Sequence, residues 1–209
     1  MTQNRSSAVM QQRREPKDSL DDFPTPPWAT RALCEWLLEQ GFDLSMMDCR
    51  EPAANRGYMV KVLREYFGQV MPSDVFDYGA DFPVNDYLLG PANHLSMTDW
   101  TITNPPFRLA EDFITRALER SRIGVAMILR TAFLEGKERY RSLFSIAPPS
   151  HVLQFTGRVT MVKGRLESRG ATATAYAWFV WTKKHEGKTT FDWLDAERKS
   201  LEREGDYPA

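Results

Sequence analysis

The sequence has few of the residues that build covalent cross-links or metal centres. Its 209 residues include only two cysteines, Cys34 and Cys49, with no CxxC pair, which excludes a disulfide-dense secreted scaffold. The three histidines lie far apart and lack HExxH spacing, so we expect no metal site. No apolar run approaches the roughly 20 residues of a membrane span, and the N-terminus lacks the apolar stretch of a secretory signal. These absences predict a cytoplasmic protein with no membrane partner.

The chain also lacks a strong overall charge. Its 27 basic and 28 acidic residues give a net charge of −1, which excludes both a histone-like polycation and an acidic disordered tail. The charge is unevenly distributed, however. Residues 21–155 carry 13 basic and 18 acidic side chains, whereas residues 156–188 carry seven basic and two acidic ones. The positive charge is therefore concentrated late in the chain.

Helical and strand-like segments alternate along most of the sequence. Residues 1–20 are polar and without apolar periodicity, so they are predicted to form a flexible N-terminal arm, followed by a single domain over residues 21–209. Helices are predicted at 28–40, 58–67, 110–120, 137–144 and 191–203, and strands at 44–49, 69–76, 100–103, 123–129, 151–155 and 172–181. Residues 156–171 are predicted to form a basic loop or hairpin arm. Such alternation predicts an α/β fold with a mostly parallel sheet.

A proline-rich tetrapeptide follows one of the predicted strands. In Asn104-Pro105-Pro106-Phe107, the two prolines fix the backbone at the carboxyl edge of the sheet, where α/β proteins bind ligands. The amide oxygen of Asn104 and the carbonyl of Pro105 can then accept hydrogen bonds from one amino group, while Phe107 stacks on a planar ring. This pattern predicts a planar substrate with an exocyclic amino group; the alternative is a merely stiff turn.

Two further motifs precede the tetrapeptide. Residues 51–57, with the sequence EPAANRG, lie between a strand and a helix. Their small side chains let the backbone approach a ligand closely, although GxGxxG and the P-loop lysine are both missing. Ser73-Asp74 ends the next strand-like segment, about 20 residues later, which is where nucleotide-binding α/β folds place a ribose partner. A solvated loop carboxylate is the alternative for Asp74.

The order of these motifs is more specific than any one of them. Thr25-Pro26-Pro27, then EPAxxxG, then Asp74, then the NPPF tetrapeptide resembles the S-adenosylmethionine-dependent amino-methyltransferases. It is most similar to the DNA adenine-N6 methyltransferases with the gamma order of motifs, in their small phage-type versions. The resemblance covers residues 22–182. It departs from the family at Asn55-Arg56, where relatives often have Cys, Gly or Ala, whereas Gly57 is kept.

The resemblance implies a fold, a cofactor and a set of site residues. The fold is the Rossmann-like class I methyltransferase fold, with a seven-stranded sheet, its last strand antiparallel, and helices on both faces. S-adenosylmethionine is the implied cofactor, and an adenine flipped out of duplex DNA is the substrate. The implied catalytic residues are Asn104, Pro105, Pro106 and Phe107. The implied cofactor residues are Thr25, Pro26 and Pro27 at the methionine part, Glu51, Pro52, Ala53 and Gly57 at the amino-acid moiety, Asp74 at the ribose, and Asp86 at the adenine.

Several alternatives stay open from the sequence alone. Asp77 or Asp81 can replace Asp86 at the cofactor's adenine, and Phe76 or Tyr87 can pack on its ring. The basic residues Arg158, Lys163, Arg165 and Arg169 are predicted to lie along duplex phosphates, the alternative being a solvated hairpin. The same tetrapeptide occurs in RNA adenine-N6 methyltransferases and in protein-glutamine N5 methyltransferases, which are alternative functions for this chain. A non-catalytic binding module is a further alternative. With no separate recognition domain expected, any target sequence should be short.

Overall fold

The computed structural model describes residues 20–168, 170, 172–195 and 198–207, and seven strands of this part form one sheet. In chain order, the strands are Asp48–Glu51 (β1), Gln69–Pro72 (β2), Thr98–Thr103 (β3), Ser121–Arg130 (β4), His151–Phe155 (β5), Tyr176–Thr182 (β6) and Thr190–Leu194 (β7). Their order across the sheet is β2-β1-β3-β4-β6-β5-β7. Among the described strands β6 is antiparallel to its neighbours, and all other pairs are parallel. The predicted α/β class with a mostly parallel seven-stranded sheet is confirmed.

The C-terminal part of the chain corrects one prediction. Residues 191–203 were expected to form a capping helix, but residues 191–194 belong to β7, which pairs with β5. The helix described in this region is Arg198–Leu201 (α5), and residues 196 and 197 lie outside the described part. As a consequence, the antiparallel strand is the sixth of the seven described strands, and a parallel strand follows it at the sheet edge.

Helices cover both faces of the sheet. The larger ones are Pro27–Glu39 (α1), Tyr58–Tyr66 (α2) and Ala110–Arg120 (α3), and a short helix, Lys137–Arg139 (α4), continues into a π-helical turn over Tyr140–Phe144. Side chains of α1 and α2 belong to one hydrophobic cluster, and those of α3 to a second. Successive side chains of β4 point to opposite faces of the sheet, so the strand contributes to both clusters. Ala126 and Ile128 belong to the first cluster, and Val125, Met127 and Leu129 belong to the second. The sheet therefore separates two cores.

Glycines with positive φ flank helices α1 and α2. Helix α1 is followed by Gly41, whose φ of +85° suits a residue without Cβ. Gly57 precedes α2 with φ of +84°, and a Cβ there would lie 2.9 Å from the ring of Phe82. Gly57 is thus required both by its backbone conformation and by the space available.

Other predicted bounds shift by a few residues. The predicted strand at 44–49 is a 3-10 turn over Leu44–Met46 followed by β1, and the strand predicted at 69–76 ends at Pro72. The segment predicted to be a basic loop or hairpin arm folds back on the molecule, since Val159 and Met161 are buried in the first core. Residues 1–19 of the predicted N-terminal arm lie outside the described residues.

Candidate functional site

A cleft opens at the carboxyl ends of β1, β2 and β3. Parallel strands bring the residues that follow them to this common edge. The predicted site residues that line the cleft are Thr25, Glu51, Pro52, Ala53, Asp74, Asp86, Asn104 and Pro106. The other members of the same motifs, which do not line it, are Pro26, Pro27, Gly57, Pro105 and Phe107. The structure therefore brings the four sequence motifs to one place.

Glu51, at the end of β1, is a buried carboxyl in the wall of this cleft. It is 1% exposed, and its Oε1 accepts hydrogen bonds from the Thr103 hydroxyl at 2.5 Å and the Ala53 N–H at 3.0 Å. Its Oε2 has no hydrogen-bond partner among the described residues. Burial raises the pKa of Glu51 to about 8, against the opposing effect of the two hydrogen bonds. A buried oxygen without a partner marks a place for a polar or cationic ligand.

Asp74 joins the EPAANRG turn to the chain after β2. Its Oδ2 accepts from the Asn55 N–H at 2.8 Å, and its Oδ1 accepts from the Phe76 N–H at 3.0 Å. Burial raises the pKa of Asp74, although these N–H donors act in the opposite direction. The backbone N–H of Val75 also acts on this carboxylate, and the two oxygens together keep acceptor capacity beyond these hydrogen bonds. The side chain can therefore also accept hydrogen bonds from ligand hydroxyls.

Of the three carboxylates predicted as alternatives at the far end of the cleft, Asp86 lines it and Asp77 and Asp81 do not. Asp86 is exposed, and its Oδ1 accepts from the Leu88 N–H at 2.9 Å. Tyr87 lines the cleft too, whereas Phe76 lies outside the lining. This geometry favours the Asp86 and Tyr87 alternatives, whose roles stay predictions.

Asn104 follows β3 with its amide fixed in one orientation. Its Nδ2 donates to the Phe23 carbonyl at 2.8 Å and lies 3.8 Å from the Met161 sulfur. No described residue donates to its Oδ1, which leaves that oxygen as an acceptor at the cleft. The assignment of nitrogen and oxygen follows from the hydrogen-bond partners, because a backbone carbonyl can only accept.

Phe107 is held at both its backbone and its ring. Its N–H donates to Asp21 Oδ2 at 2.6 Å. The Arg130 guanidinium lies over its ring, 4.1 Å from the centroid, and the ring centroid of Phe23 is 5.7 Å away. The face of Phe107 beneath Arg130 is therefore covered, so a planar group that stacks on that face must displace the guanidinium. Stacking by Phe107 stays a prediction.

Sequence reasoning missed residues 20–24, which we call the strap. Leu20, Asp21, Phe23 and Pro24 all line the cleft. Asp22 is bound by Asn55 and Arg56 of the EPAANRG turn, with contacts of 2.8 to 3.0 Å. The sequence signal that could have revealed this contact is the Asn55-Arg56 pair. An arginine in a turn of small residues is expected to have an acidic partner nearby.

Of the four basic residues predicted to contact nucleic acid, the three that the structure describes are not part of the cleft lining. Arg158, Lys163 and Arg165 are exposed, and Arg169 lies outside the described residues. Arg165 is paired with Glu167 at 2.5 Å, which reduces its net contribution to the local positive potential. Their contact with nucleic acid stays a prediction.

No helix in the described part of the chain is both long and apolar enough to span a bilayer. Across the same residues, no group of three or more His, Cys, Asp or Glu side chains is placed to hold a metal ion.

No protein-family model and no curated protein matches the sequence, whereas solved structures do match the fold. A Listeria monocytogenes protein, provisionally described as a class I S-adenosylmethionine-dependent methyltransferase, is 11% identical, with a TM-score of 0.65 over 93% of this chain and 72% of that one. The methyltransferase subunit of a type I restriction-modification system from Streptococcus thermophilus is 11% identical, with a TM-score of 0.59 over 82% and 47%. Magnesium protoporphyrin IX methyltransferase from Synechocystis, solved with bound S-adenosylmethionine, is 12% identical, with a TM-score of 0.50 over 76% and 79%.

These similarities establish the fold. The chain has the Rossmann-like class I methyltransferase fold, as the sequence predicted. The chain spans about half the length of the restriction-modification subunit, 47%. The structural similarity therefore does not show that this chain has the activity or the partners of that larger protein.

Proposed function

We propose that this chain transfers a methyl group from S-adenosylmethionine to the exocyclic N6 amino group of adenine in DNA. The observation that carries the proposal is the Asn104 amide. Its nitrogen is held by the Phe23 carbonyl at 2.8 Å, so its oxygen is left to accept a hydrogen bond at a cleft shared with Glu51 and Asp74. A fixed acceptor at that point suits a substrate amino group, which is a donor.

The cofactor part of the proposal rests on unpartnered polar atoms in the same cleft. Thr25 and Glu51 are both buried there, and neither Thr25 Oγ1 nor Glu51 Oε2 has a partner among the described residues. S-adenosylmethionine offers an ammonium group, two ribose hydroxyls and an adenine amino group, which suit Glu51, Asp74 and Asp86 in that order. The residues present therefore fit this cofactor, with Pro52 and Ala53 shaping the wall. When bound, it supplies an electrophilic methyl group on a sulfonium.

In the proposed reaction the chain's own residues act by position. The N6–CH3 bond forms as the S–CH3 bond of the sulfonium breaks, S-adenosylhomocysteine leaves, and the amino nitrogen releases one proton to solvent. The Asn104 Oδ1 and the Pro105 carbonyl accept the two N–H bonds of the target amino group and orient its lone pair toward the methyl group. Pro105 and Pro106 keep these acceptors in place because their backbone φ angles are fixed by the ring. Phe107 stacks on the target ring once Arg130 leaves the ring face.

DNA is the proposed substrate class for two reasons. One structural neighbour is the methyltransferase subunit of a restriction-modification system, and residues 156–188 carry the excess of positive charge. Arg158, Lys163, Arg165 and Arg169 of that segment are proposed to contact duplex phosphates, which gives affinity without sequence readout. A base inside the duplex must be flipped to reach Asn104, at a cost of a few kcal/mol.

The test offers tritiated S-adenosylmethionine with unmethylated duplex DNA, with RNA and with a release factor. Digestion followed by nucleoside and amino-acid analysis identifies the labelled product, and Asn104→Ala serves as the catalytic control. We expect N6-methyladenine from the DNA and no label with the variant. Label found in RNA adenine or in glutamine, with none in DNA, would replace the proposed substrate, and no label in any sample would contradict methyl transfer itself.

A further inference from the structure

The strap, residues 20–24, contacts both ends of the catalytic tetrapeptide. The Phe23 carbonyl accepts from Asn104 Nδ2 at 2.8 Å, and Asp21 Oδ2 accepts from the Phe107 N–H at 2.6 Å. We propose that the strap, anchored through Asp22, sets the orientation of the Asn104 amide, which makes Asp22 a positioning residue for methyl transfer. This inference rests on the proposed function and adds residues to that same site.

The orientation of Asn104 needs a partner because the side-chain amide is nearly symmetric in shape. A half-turn of the amide exchanges its oxygen and nitrogen with little steric change. The turned amide would present an N–H donor to the donor amino group of the substrate, and the two would repel. The Phe23 carbonyl prevents this, since it can bind only the nitrogen. The orientation of Asn104 therefore depends on where the strap holds Phe23.

Asp22 fixes the strap to the EPAANRG turn and to the basic segment. Its Oδ1 accepts from Asn55 Nδ2 at 2.8 Å and from the Arg56 guanidinium at 2.9 Å, and its Oδ2 lies 3.0 Å from the same Arg56 nitrogen. Its backbone carbonyl accepts from the Gly164 N–H at 2.8 Å. The Asp22 carboxylate is 14% exposed, so water screens these charge-assisted bonds only in part.

Asn55 and Arg56 hold the strap, which gives a physical role to the two residues that depart from the family pattern. Asn55 and Arg56 stand where small residues were expected, and both donate to Asp22. Asn55 adopts φ of +49°, a conformation that asparagine tolerates better than most residues. Both side chains therefore serve the strap, and the backbone N–H of Asn55 still holds Asp74.

The experiment compares Asp22→Ala with two other variants. Asp22→Asn keeps one carbonyl oxygen for Asn55 and Arg56, so it should rescue part of the effect. Asp99→Ala is the matched control, because Asp99 is a similarly buried carboxylate, 19% exposed, whose Oδ1 lies 2.8 Å from Arg122. It lies in β3 near the amino ends of the strands, at the opposite edge of the sheet from the cleft. Thermal melts confirm that each variant folds.

Two readouts are made on the full chain. The first is hydrogen exchange of the Asn104 side-chain N–H₂, observed by NMR with ¹⁵N-labelled asparagine and no substrate present. The second is kcat at saturating cofactor and DNA, together with KM for DNA. In Asp22→Ala we expect faster amide exchange and a fall in kcat of about tenfold, the scale of one lost hydrogen bond, with a smaller change in KM. Asp99→Ala should leave both readouts unchanged.

The two readouts separate this inference from the proposed function. If Asp22→Ala exchanges its Asn104 amide like wild type, or keeps kcat within twofold of it, the strap does not position Asn104, whatever the substrate is. If Asp99→Ala changed the amide exchange and kcat by as much as Asp22→Ala does, the cause would be general destabilisation of the fold. That result would also overturn the inference. Faster exchange in Asp22→Ala with no methyl transfer by wild type to any substrate would support the positioning contact and contradict the proposed function.

Discussion

Glu51 should make the stability of this protein depend on pH in a predictable direction. Its pKa in the folded chain is about 8, raised from an ordinary value of 4.5 because the carboxyl is buried. Between these two values the folded protein holds a proton that the unfolded chain has released. The contribution of Glu51 to stability is therefore complete below pH 4.5 and is lost as the pH rises, until the folded carboxyl ionises near pH 8.

The size of the effect follows from one proton. A difference of one bound proton changes the free energy of unfolding by roughly 1.4 kcal/mol per pH unit. Glu51→Gln removes the titration but keeps a carbonyl oxygen that accepts from Thr103 and Ala53. The free energy of unfolding of wild type should thus fall relative to the variant by about that amount for each unit between pH 5 and 8.

Urea denaturation of both proteins at pH 5, 6, 7 and 8 measures this difference directly. A group with a shifted pKa that does not interact with Glu51, such as Asp99, titrates alike in both proteins and cancels in the comparison. Parallel pH dependence of the two unfolding free energies would refute the reasoning. It would mean that Glu51 is already ionised in the folded protein and that its Oε2 is stabilised by a partner such as water.

Three further predictions address the proposed activity. Asn104→Ala should lower single-turnover methyl transfer by more than about tenfold, while the cofactor dissociation constant, measured calorimetrically, stays nearly unchanged. The reason is that, of the two proposed ligands, the side chain contacts the target amino group and not the cofactor. Activity within tenfold of wild type would be inconsistent with its role. Asp74→Ala should weaken cofactor binding by roughly 1–3 kcal/mol through lost charge-assisted hydrogen bonds, and an unchanged dissociation constant would show that Asp74 does not contact the cofactor. Neutralising Arg158, Lys163 and Arg165 together should reduce the salt dependence of DNA affinity by about 0.9 log unit per lost phosphate contact, with cofactor affinity as the control. Equal salt slopes for variant and wild type would place the DNA surface elsewhere.

The predictable parts of this chain are those whose signal lies within a few consecutive residues. Helix α1 was recognisable from apolar positions three and four apart and from Gly41 after it, and β4 from a continuous apolar run between a helix and a turn. The order of the four motifs predicted the fold class, and the structure brings their residues to one cleft because parallel strands end at a common edge.

The mistaken helix at 191–203 shows where that kind of signal fails. Phe191 and Leu194 are three residues apart, as in a helix, but Phe191 and Trp193 also fit the alternation of a strand. The segment is short, so the local pattern leaves both structures possible. Backbone pairing with β5, about 40 residues earlier in the chain, stabilises the strand. A pattern read over a few consecutive residues carries no information about such long-range pairing.

The sequence by itself determined the α/β class, the main helices and the identity of the motif residues, because propensity, periodicity and motif spacing are local properties. Only the tertiary structure decided how those residues act together. The raised pKa of Glu51 comes from burial under other segments, the orientation of Asn104 from a carbonyl 81 residues away at Phe23, and the use of Arg56 from Asp22 in the strap. Each depends on distances between parts of the chain that are far apart in sequence, and those distances are set only when the two cores form.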